Sequence, residues 1–337
     1  MYLASITHCR SFEVEYSNPR LLSSFLDVPT IYSRRLALLE NFSVTWNQDE
    51  EQIALFFPLF CAPNLRSATW IGLDYLRLDA SCRNWVNLRE LTLGSVQALE
   101  PLLTAISYCQ DLERLAIYRR IVCPQYNIPT HTLPRLTYLH APFEPLVRTV
   151  FDFLITPALK ELQVLVSNYA PWRQIPTFLE RSAATLEVFK VHEFGRQPLD
   201  FNEKPLFIAL QTPYFHNVKE LEINFPITLY TINFLTLPTP TIQTEDGLPC
   251  IIDSTDDGRR RLQQLVRLSL TLSRERLSDS STNLTELVVS RGGSPCQRLV
   301  AELVKNWMAK PSCSEEVTFT GNNTQVTFRW EDVFDAE

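Results

Sequence analysis

Glycine is scarce in this chain, 8 residues in 337, whereas proline is plentiful at 22. That balance argues for many short elements joined by stiff turns. No phosphate-cradling glycine loop and no G-x-S-x-G nucleophile motif occurs, and Gly292-Gly293-Ser294 reads as a turn. No apolar run approaches the ~20 residues needed to span a bilayer. The start, Met1 to Ser11, carries His8 and Arg10 among small residues and has no signal-peptide core. The expectation is a soluble chain of the cytoplasm or nucleus, with no membrane partner. A basic surplus is also missing. The net charge is -7, from 31 basic and 38 acidic residues, which argues against nucleic acid as the main ligand because phosphates need a basic field.

The eight cysteines, at 9, 61, 82, 109, 123, 250, 296 and 313, include no C-x-x-C pair and read as small buried hydrophobes in a reducing compartment. The five histidines, at 8, 131, 140, 192 and 216, have no metal-ligand spacing. No metal, no cofactor and no catalytic residue is expected. The glycosylation triplets at Asn41, Asn283 and Asn322 read as accidental, the first two because they fall inside expected strands.

What is present is a spacing. Leu88-x-x-Leu91-x-Leu93, Leu112-x-x-Leu115-x-Ile117, Leu136-x-x-Leu139-x-Ala141 and Leu159-x-x-Leu162-x-Val164 recur 24, 24 and 23 residues apart. A period of about 20 to 29 residues on L-x-x-L-x-L is the signature of a leucine-rich repeat. One unit cannot bury its apolar edge alone, so units stack strand beside strand and their Leu positions fuse into one core. Upstream units are read at Leu65, Leu39 and Cys9. Downstream units are read at Leu186, Val218, Leu265 and Leu284, with irregular gaps.

Segments of helical period lie between the strands: Asn18 to Phe25, Asp49 to Phe60, Ser95 to Tyr108, Phe143 to Leu154 and Trp172 to Arg181, with Cys296 to Met308 as the last long helix. Helices and strands that alternate predict an α/β chain. Its expected architecture is a leucine-rich-repeat solenoid, or horseshoe, with a parallel sheet on the concave face and helices on the convex face. Helical returns argue against a parallel β-helix. Residues 1–290 form the solenoid, interrupted at about 235–264 by a segment rich in proline and acidic residues that ends in Arg259, Arg260 and Arg261. This insertion reads as a solvated loop, with a partner-contacting loop as the alternative. Residues 291–337 form a C-terminal cap: the last helix, then a hairpin of Val317-Thr318-Phe319 and Val326-Thr327-Phe328 around Gly321-Asn322-Asn323.

The runs Ala62-Pro63-Asn64-Leu65-Arg66, Leu133-Pro134-Arg135-Leu136-Thr137-Tyr138-Leu139, Thr156-Pro157-Ala158-Leu159-Lys160-Glu161-Leu162 and Trp172 to Ser182 carry a resemblance. From about Cys9 to Val289 the chain resembles the leucine-rich-repeat region of fungal F-box proteins. The resemblance implies repeats that hold a substrate while an amino-terminal F-box docks on a cullin-RING ubiquitin ligase. The sequence departs from that pattern. The first unit begins at Cys9, the Leu-Pro pairs at 133, 237 and 248 all lie among the repeats, and a ligase adaptor is expected only if an F-box precedes Met1. The Asn that completes the best-studied repeats is replaced by Val96, Arg120 and Glu144. The expected function is a non-catalytic protein-protein interaction module, the substrate-recruiting part of an F-box type receptor. The alternatives are a free-standing scaffold with no ubiquitin role and, remotely, an enzyme on a repeat fold.

In L-x-x-L-x-L the Leu side chains point inward and the residues flanking the second Leu point out of the concave face. One outward row reads Glu90, Arg114, Tyr138, Glu161, Val188, Glu220 and Arg267. The next reads Thr92, Ala116, His140, Gln163, Lys190, Glu222 and Ser269. From these rows Glu90, Thr92, Arg114, Tyr138, His140, Glu161, Gln163, Lys190 and Glu222 are the candidate contacts for a protein partner. Tyr138 and His140 sit at the centre, where aromatics carry binding energy. Glu90 is expected to face Arg114, and Arg89 to face Glu113.

Overall fold

A computed structural model describes residues 9–16, 38–46, 60, 62–71, 85–94, 99–118, 129–143, 149–166, 172–193, 204–227, 235, 265–273, 316–321 and 324–331. The expected helices at 18–25 and 296–308, nearly all of that at 49–60, the unit at 284–289 and almost all of the 235–264 insertion lie outside these residues, as do positions 96, 120 and 144. The chain divides into two compact units, one of residues 1–165 with 177–184, the other of 166–176 with 185–337. It is an α/β chain built on mostly parallel strands with few helices among the described residues.

In the first unit the strands are β1 (Ser11–Tyr16), β2 (Asn41–Trp46), β3 (Ser67–Ile71), β4 (Glu90–Leu93), β5 (Arg114–Ile117), β6 (His131–Thr132), β7 (Tyr138–Phe143), β8 (Leu154–Ile155) and β9 (Glu161–Val166). The main sheet runs β1-β2-β3-β4-β5-β7-β9, and the steps from β1 to β7 are parallel. Equivalent positions stand side by side, Leu91 beside Leu115 and Leu115 beside Leu139. The alternation in the sequence is the alternation of burial: β9 reads half-buried, buried throughout its six residues. Leu88, Leu91, Leu93, Leu112, Leu115, Ile117, Leu136, Leu139, Ala141, Leu159, Leu162 and Val164 are all buried. Parallel sheets usually have both faces covered. Here the outward positions of β3, β4 and β9 stay half-buried or exposed, so one face is only partly covered.

Two backbone devices recur before the strands. A turn closes ahead of the first apolar position: Leu65 N–H donates to Ala62 O, Leu88 to Trp85 O, Leu112 to Cys109 O, Leu136 to Leu133 O and Leu159 to Thr156 O, at 3.0 to 3.4 Å. The residue that opens each turn is buried. The carbonyl just after that apolar position then accepts two N–H groups from the next strand. Arg66 O takes Arg89 and Glu90, Arg89 O takes Glu113 and Arg114, and Glu113 O takes Thr137 and Tyr138. Buried backbone groups must be paired, and this sharing pairs them, with Thr137 Oγ1 also donating to Glu113 O at 3.1 Å.

Helix α1 (Leu99–Ser107) buries Leu99, Leu102, Leu103 and Ile106, the spacing of one helical face, and carries Glu100 where the dipole favours an anion. Of the helix read from Phe143 to Leu154, residues 144–148 lie outside the described residues, and those described form no α-helix. Strand β7 continues to Phe143, a 3-10 turn covers Val150–Asp152, and Leu154 enters β8, which pairs in parallel with β6. Apolar residues at helical spacing serve equally as a buried turn and bridge, and tertiary pairing decided between them. Helix α2 (Gln174–Ser182) holds this return in place. Phe178 packs edge-on to Phe151 at 5.3 Å, Arg181 Nη2 donates to the Phe151 and Leu154 carbonyls, and Thr156 N–H donates to Ser182 Oγ at 3.0 Å. The helix ends in a Schellman arrangement, Ala184 N–H to Leu179 O and Ala183 N–H to Glu180 O, with Ala183 at φ 49 where glycine is usual.

At the other end of this unit an aromatic cluster fills the space under the sheet. Phe60 lies 5.1 Å from Trp70 and 4.9 Å from Trp85, and Trp85 Nε1–H donates to Phe60 O at 2.9 Å. Such packing replaces the leucines that the sequence lacks at Phe42, Ala68 and Trp70.

In the second unit β10 (Val188–Glu193), α3 (Lys204–Leu210), β11 (Glu220–Ile227), β12 (Arg267–Ser273), β13 (Glu316–Gly321) and β14 (Thr324–Glu331) follow. Strands β10, β11, β12 and β14 pair in parallel in that order, and β13 closes the edge as an antiparallel hairpin with β14. The hairpin is as expected, but its place is not the end of a further unit: β14 lies directly beside β12, Leu268 opposite Val326. The register of β11 against β12 shifts at Pro226, from Ile223 opposite Leu270 to Pro226 opposite Thr271, and Thr271 Oγ1 donates to Asn224 Oδ1 at 3.2 Å. Proline has no N–H for the ladder, which makes a bulge its natural place in a strand. Among the described residues Cys9 is half-buried and Cys109 is buried, its Sγ donating to Ala105 O at 3.6 Å.

Candidate protein-binding face

The outward side chains of the first unit grade from polar to aromatic. Strands β1 to β4 present Glu13, Glu15, Asn41, Ser43, Thr45, Ser67, Thr69, Glu90 and Thr92, exposed or half-buried. On β5 and β7 the character changes. The Arg114 guanidinium lies 3.9 Å from the centre of the Tyr138 ring, a cation–π stack. Tyr138 donates its hydroxyl to Gln163 Oε1 at 3.1 Å, which fixes the ring across β7 and β9. Burial, with Tyr118 and Glu161 nearby, pushes the Tyr138 hydroxyl up to about 12, so the phenol is neutral at physiological pH; Arg114 opposes that shift in part.

Three positions differ from the expected rows. His140 is 2% exposed and Ala116 6%, so neither is an open contact. Tyr118 is the reason on one side, its ring 4.5 Å from that of His140. Tyr118 itself is 41% exposed and belongs to the face, though the outward rows stop short of it. The alternation Arg114, Ala116, Tyr118 along β5 was the available signal. The expected neighbours Glu90 and Arg114 are in register, yet Glu90 accepts from Ser67 Oγ at 3.3 Å while Arg114 stacks on Tyr138. Arg89 and Glu113 do pair, at 3.7 Å.

The second unit presents a different surface. Glu220 is bracketed by Arg267 at 2.9 Å and Lys190 at 3.7 Å, His192 is 3.7 Å from Glu222, and Lys219 pairs with Glu187 at 2.8 Å. Ser269 is nearly buried. These charges satisfy one another, so a partner would have to displace existing pairs to use them. The structure therefore brings Arg114, Tyr118, Glu161 and Gln163 together around Tyr138. It leaves Lys190 and Glu222 in a separate charged lattice, and Glu90 and Thr92 on the polar flank.

Among the described residues no group of three or more His, Cys, Asp and Glu side chains could hold a metal ion, and no helix is long and apolar enough to cross a membrane. Compared with known proteins, the sequence matches no family model and no curated protein.

Proposed function

We propose that this chain is a non-catalytic binding module of the leucine-rich-repeat type, with the strands on its concave face, and that a protein partner docks on the face around Tyr138. The observation that carries this reading is the Arg114–Tyr138–Gln163 chain, a preorganised aromatic and guanidinium cluster on a partly covered sheet face. Tyr and Arg are enriched at hot spots, and here the stack of Arg114 on Tyr138 and the hydrogen bond to Gln163 hold them in place before a partner arrives, which lowers the entropy cost of binding. Tyr118 adds a second ring beside them. The leucine spacing, the recurring turns and the side-by-side register support the repeat assignment.

The sequence resemblance to fungal F-box proteins narrows the partner to a substrate of a cullin-RING ligase, with a free-standing scaffold as the alternative. The test is affinity capture from native extract with mass spectrometry, comparing the parent chain with Tyr138→Ala and Tyr118→Ala together, after circular dichroism shows both folded. A partner captured by the parent and lost by the variant supports docking on this face. The same partners recovered by both would remove the face from consideration. Cullin-ligase subunits among them support the receptor role, and their absence beside a face-dependent partner supports the scaffold.

A further inference from the structure

A second surface lies on the edge where the strands of the first unit begin. Buried Leu39, Leu65 and Leu88 stand there in register, and the residues on either side of each project outward. They wall a cleft of about 340 Å³. It is lined by Arg10, Arg66 and Arg89, by Asn64, and by Asn87, whose amide donates to Pro63 O at 3.4 Å. Leu38, 49% exposed, supplies an apolar rim.

The cleft's acceptors are fewer and partly engaged. Asp111 is held by Arg135 at 2.7 Å. The backbone carbonyls of Arg10, Glu40, Arg66 and Arg89 each accept two N–H groups from the following strand. Glu40 lines the cleft between Arg10 and Arg66 in the strand order, yet no ion pair joins it to either among the described residues. Arg89 has only the exposed pair with Glu113, which is weak. Three guanidinium forks thus face two carboxylates, one of them already neutralised.

We propose that this cleft binds an acidic peptide segment of a partner protein. Guanidinium forks match carboxylates in a bidentate geometry that ammonium groups cannot reproduce. Neighbouring strands are about 4.8 Å apart, so Arg10 and Arg66, two strands apart, lie about 10 Å from one another, the reach of about three residues of extended chain. In polyproline II geometry, with three residues per turn and a rise of about 3.1 Å, positions i and i+3 share one face about 9 Å apart, so the segment carries two acidic side chains three positions apart, with non-acidic residues between them over Glu40.

The probe is a fluorescent peptide with two glutamates at that spacing, its control the same peptide with glutamines, and the readout is fluorescence anisotropy at low salt. The glutamate peptide should bind with an affinity that falls as salt rises. Arg66→Gln should weaken it roughly tenfold or more, the effect of losing a hydrogen bond to a charged group. Glu40→Gln, which removes the intervening negative charge, should tighten it, an effect that loss of structure cannot imitate. Equal binding of the two peptides, no binding at millimolar peptide, or unchanged affinity in both variants would overturn the assignment. Tyr138→Ala should leave peptide binding unchanged, so failure here and failure of the Tyr138 face are read separately.

Discussion

Trp85→Phe tests how much of the first unit's stability rests on one buried hydrogen bond within its aromatic cluster. Trp85 is fully buried, edge-on to Phe60 at 4.9 Å, and its Nε1–H donates to Phe60 O at 2.9 Å. Phenylalanine keeps a ring against Phe60 but has no donor. A buried acceptor that loses its donor costs about 1–3 kcal/mol. The smaller ring also leaves a void, which adds on the order of 1 kcal/mol if the surroundings relax in part. The sum is about 2–4 kcal/mol. In a unit of this size each kcal/mol lowers the midpoint by about 2–4 °C, so the expected drop is roughly 5–15 °C. Thermal and urea unfolding followed by far-ultraviolet circular dichroism measures it. Arg89→Ala serves as the control, because its pair with Glu113 is exposed and such pairs contribute less than about 1 kcal/mol. A Trp85→Phe variant that melts with the parent, or an Arg89→Ala variant that falls as far, would refute the reasoning.

The other predictions use the same comparison of buried and exposed positions. Leu115→Asp places a carboxylate at a fully buried position and should unfold the first unit, whereas Arg114→Ala loses a surface stack and should melt nearly with the parent; equal thermal shifts would contradict the inward and outward assignment. Ala183→Gly relieves a left-handed residue at a helix end and should stabilise by about 0.5–1 kcal/mol, read as a higher urea midpoint at constant slope. The Tyr138 phenol is raised in the folded state from 10.0 to about 12, so its contribution is whole below pH 10 and is lost as pH rises towards 12. Tyrosinate absorbance should lose its highest step in Tyr138→Phe, and a step that survives would reassign it. Burial lowers the imidazole of His131 from its ordinary 6.5, so its contribution is present above pH 6.5 and lost as pH falls through the folded value. Nuclear magnetic resonance should find it titrating below 6.5, and titration at or above 6.5 would remove burial as the governing cause.

The two units differ in what their outward faces can offer. On β10 to β12, Glu220 meets Arg267 at equal register and Lys190 on the diagonal, and His192 lies diagonal to Glu222, which helps set strand order but leaves little for a partner. On β5 to β9, a cation is spent on a ring and the ring on an amide, so the cluster stays rigid without consuming its contact area. Rigid aromatic surface costs less entropy to bind than long charged side chains do.

The residues alone determined which side chains are buried in the best-formed strands. Spacings of 24, 24 and 23 residues place leucines at matching heights, and a period of two sends alternate residues to opposite faces, so Leu91, Leu115, Leu139 and Leu162 could be placed before any coordinates. The pair Arg89–Glu113 follows from the same arithmetic, because parallel strands set equal positions side by side, whereas Glu90 and Arg114, equally in register, take other partners. The register of the hairpin partner did not follow, since nothing local says that Val326 belongs opposite Leu268 across a gap of more than fifty residues. Nor did the return through Val150 to Ile155, where the same apolar residues suit a helix, and Arg181 and Ser182 from a later helix settle the matter. Pro-Asn-Leu, Pro-Arg-Leu and Pro-Ala-Leu stand in the sequence, but the turns they close ahead of the strands are a property of the folded backbone. Only the folded backbone shows one carbonyl serving two N–H groups of the next strand. His140 was decided last and entirely by its neighbours: alternation assigns it to the outer face, and the ring of Tyr118, one strand away, helps to cover it.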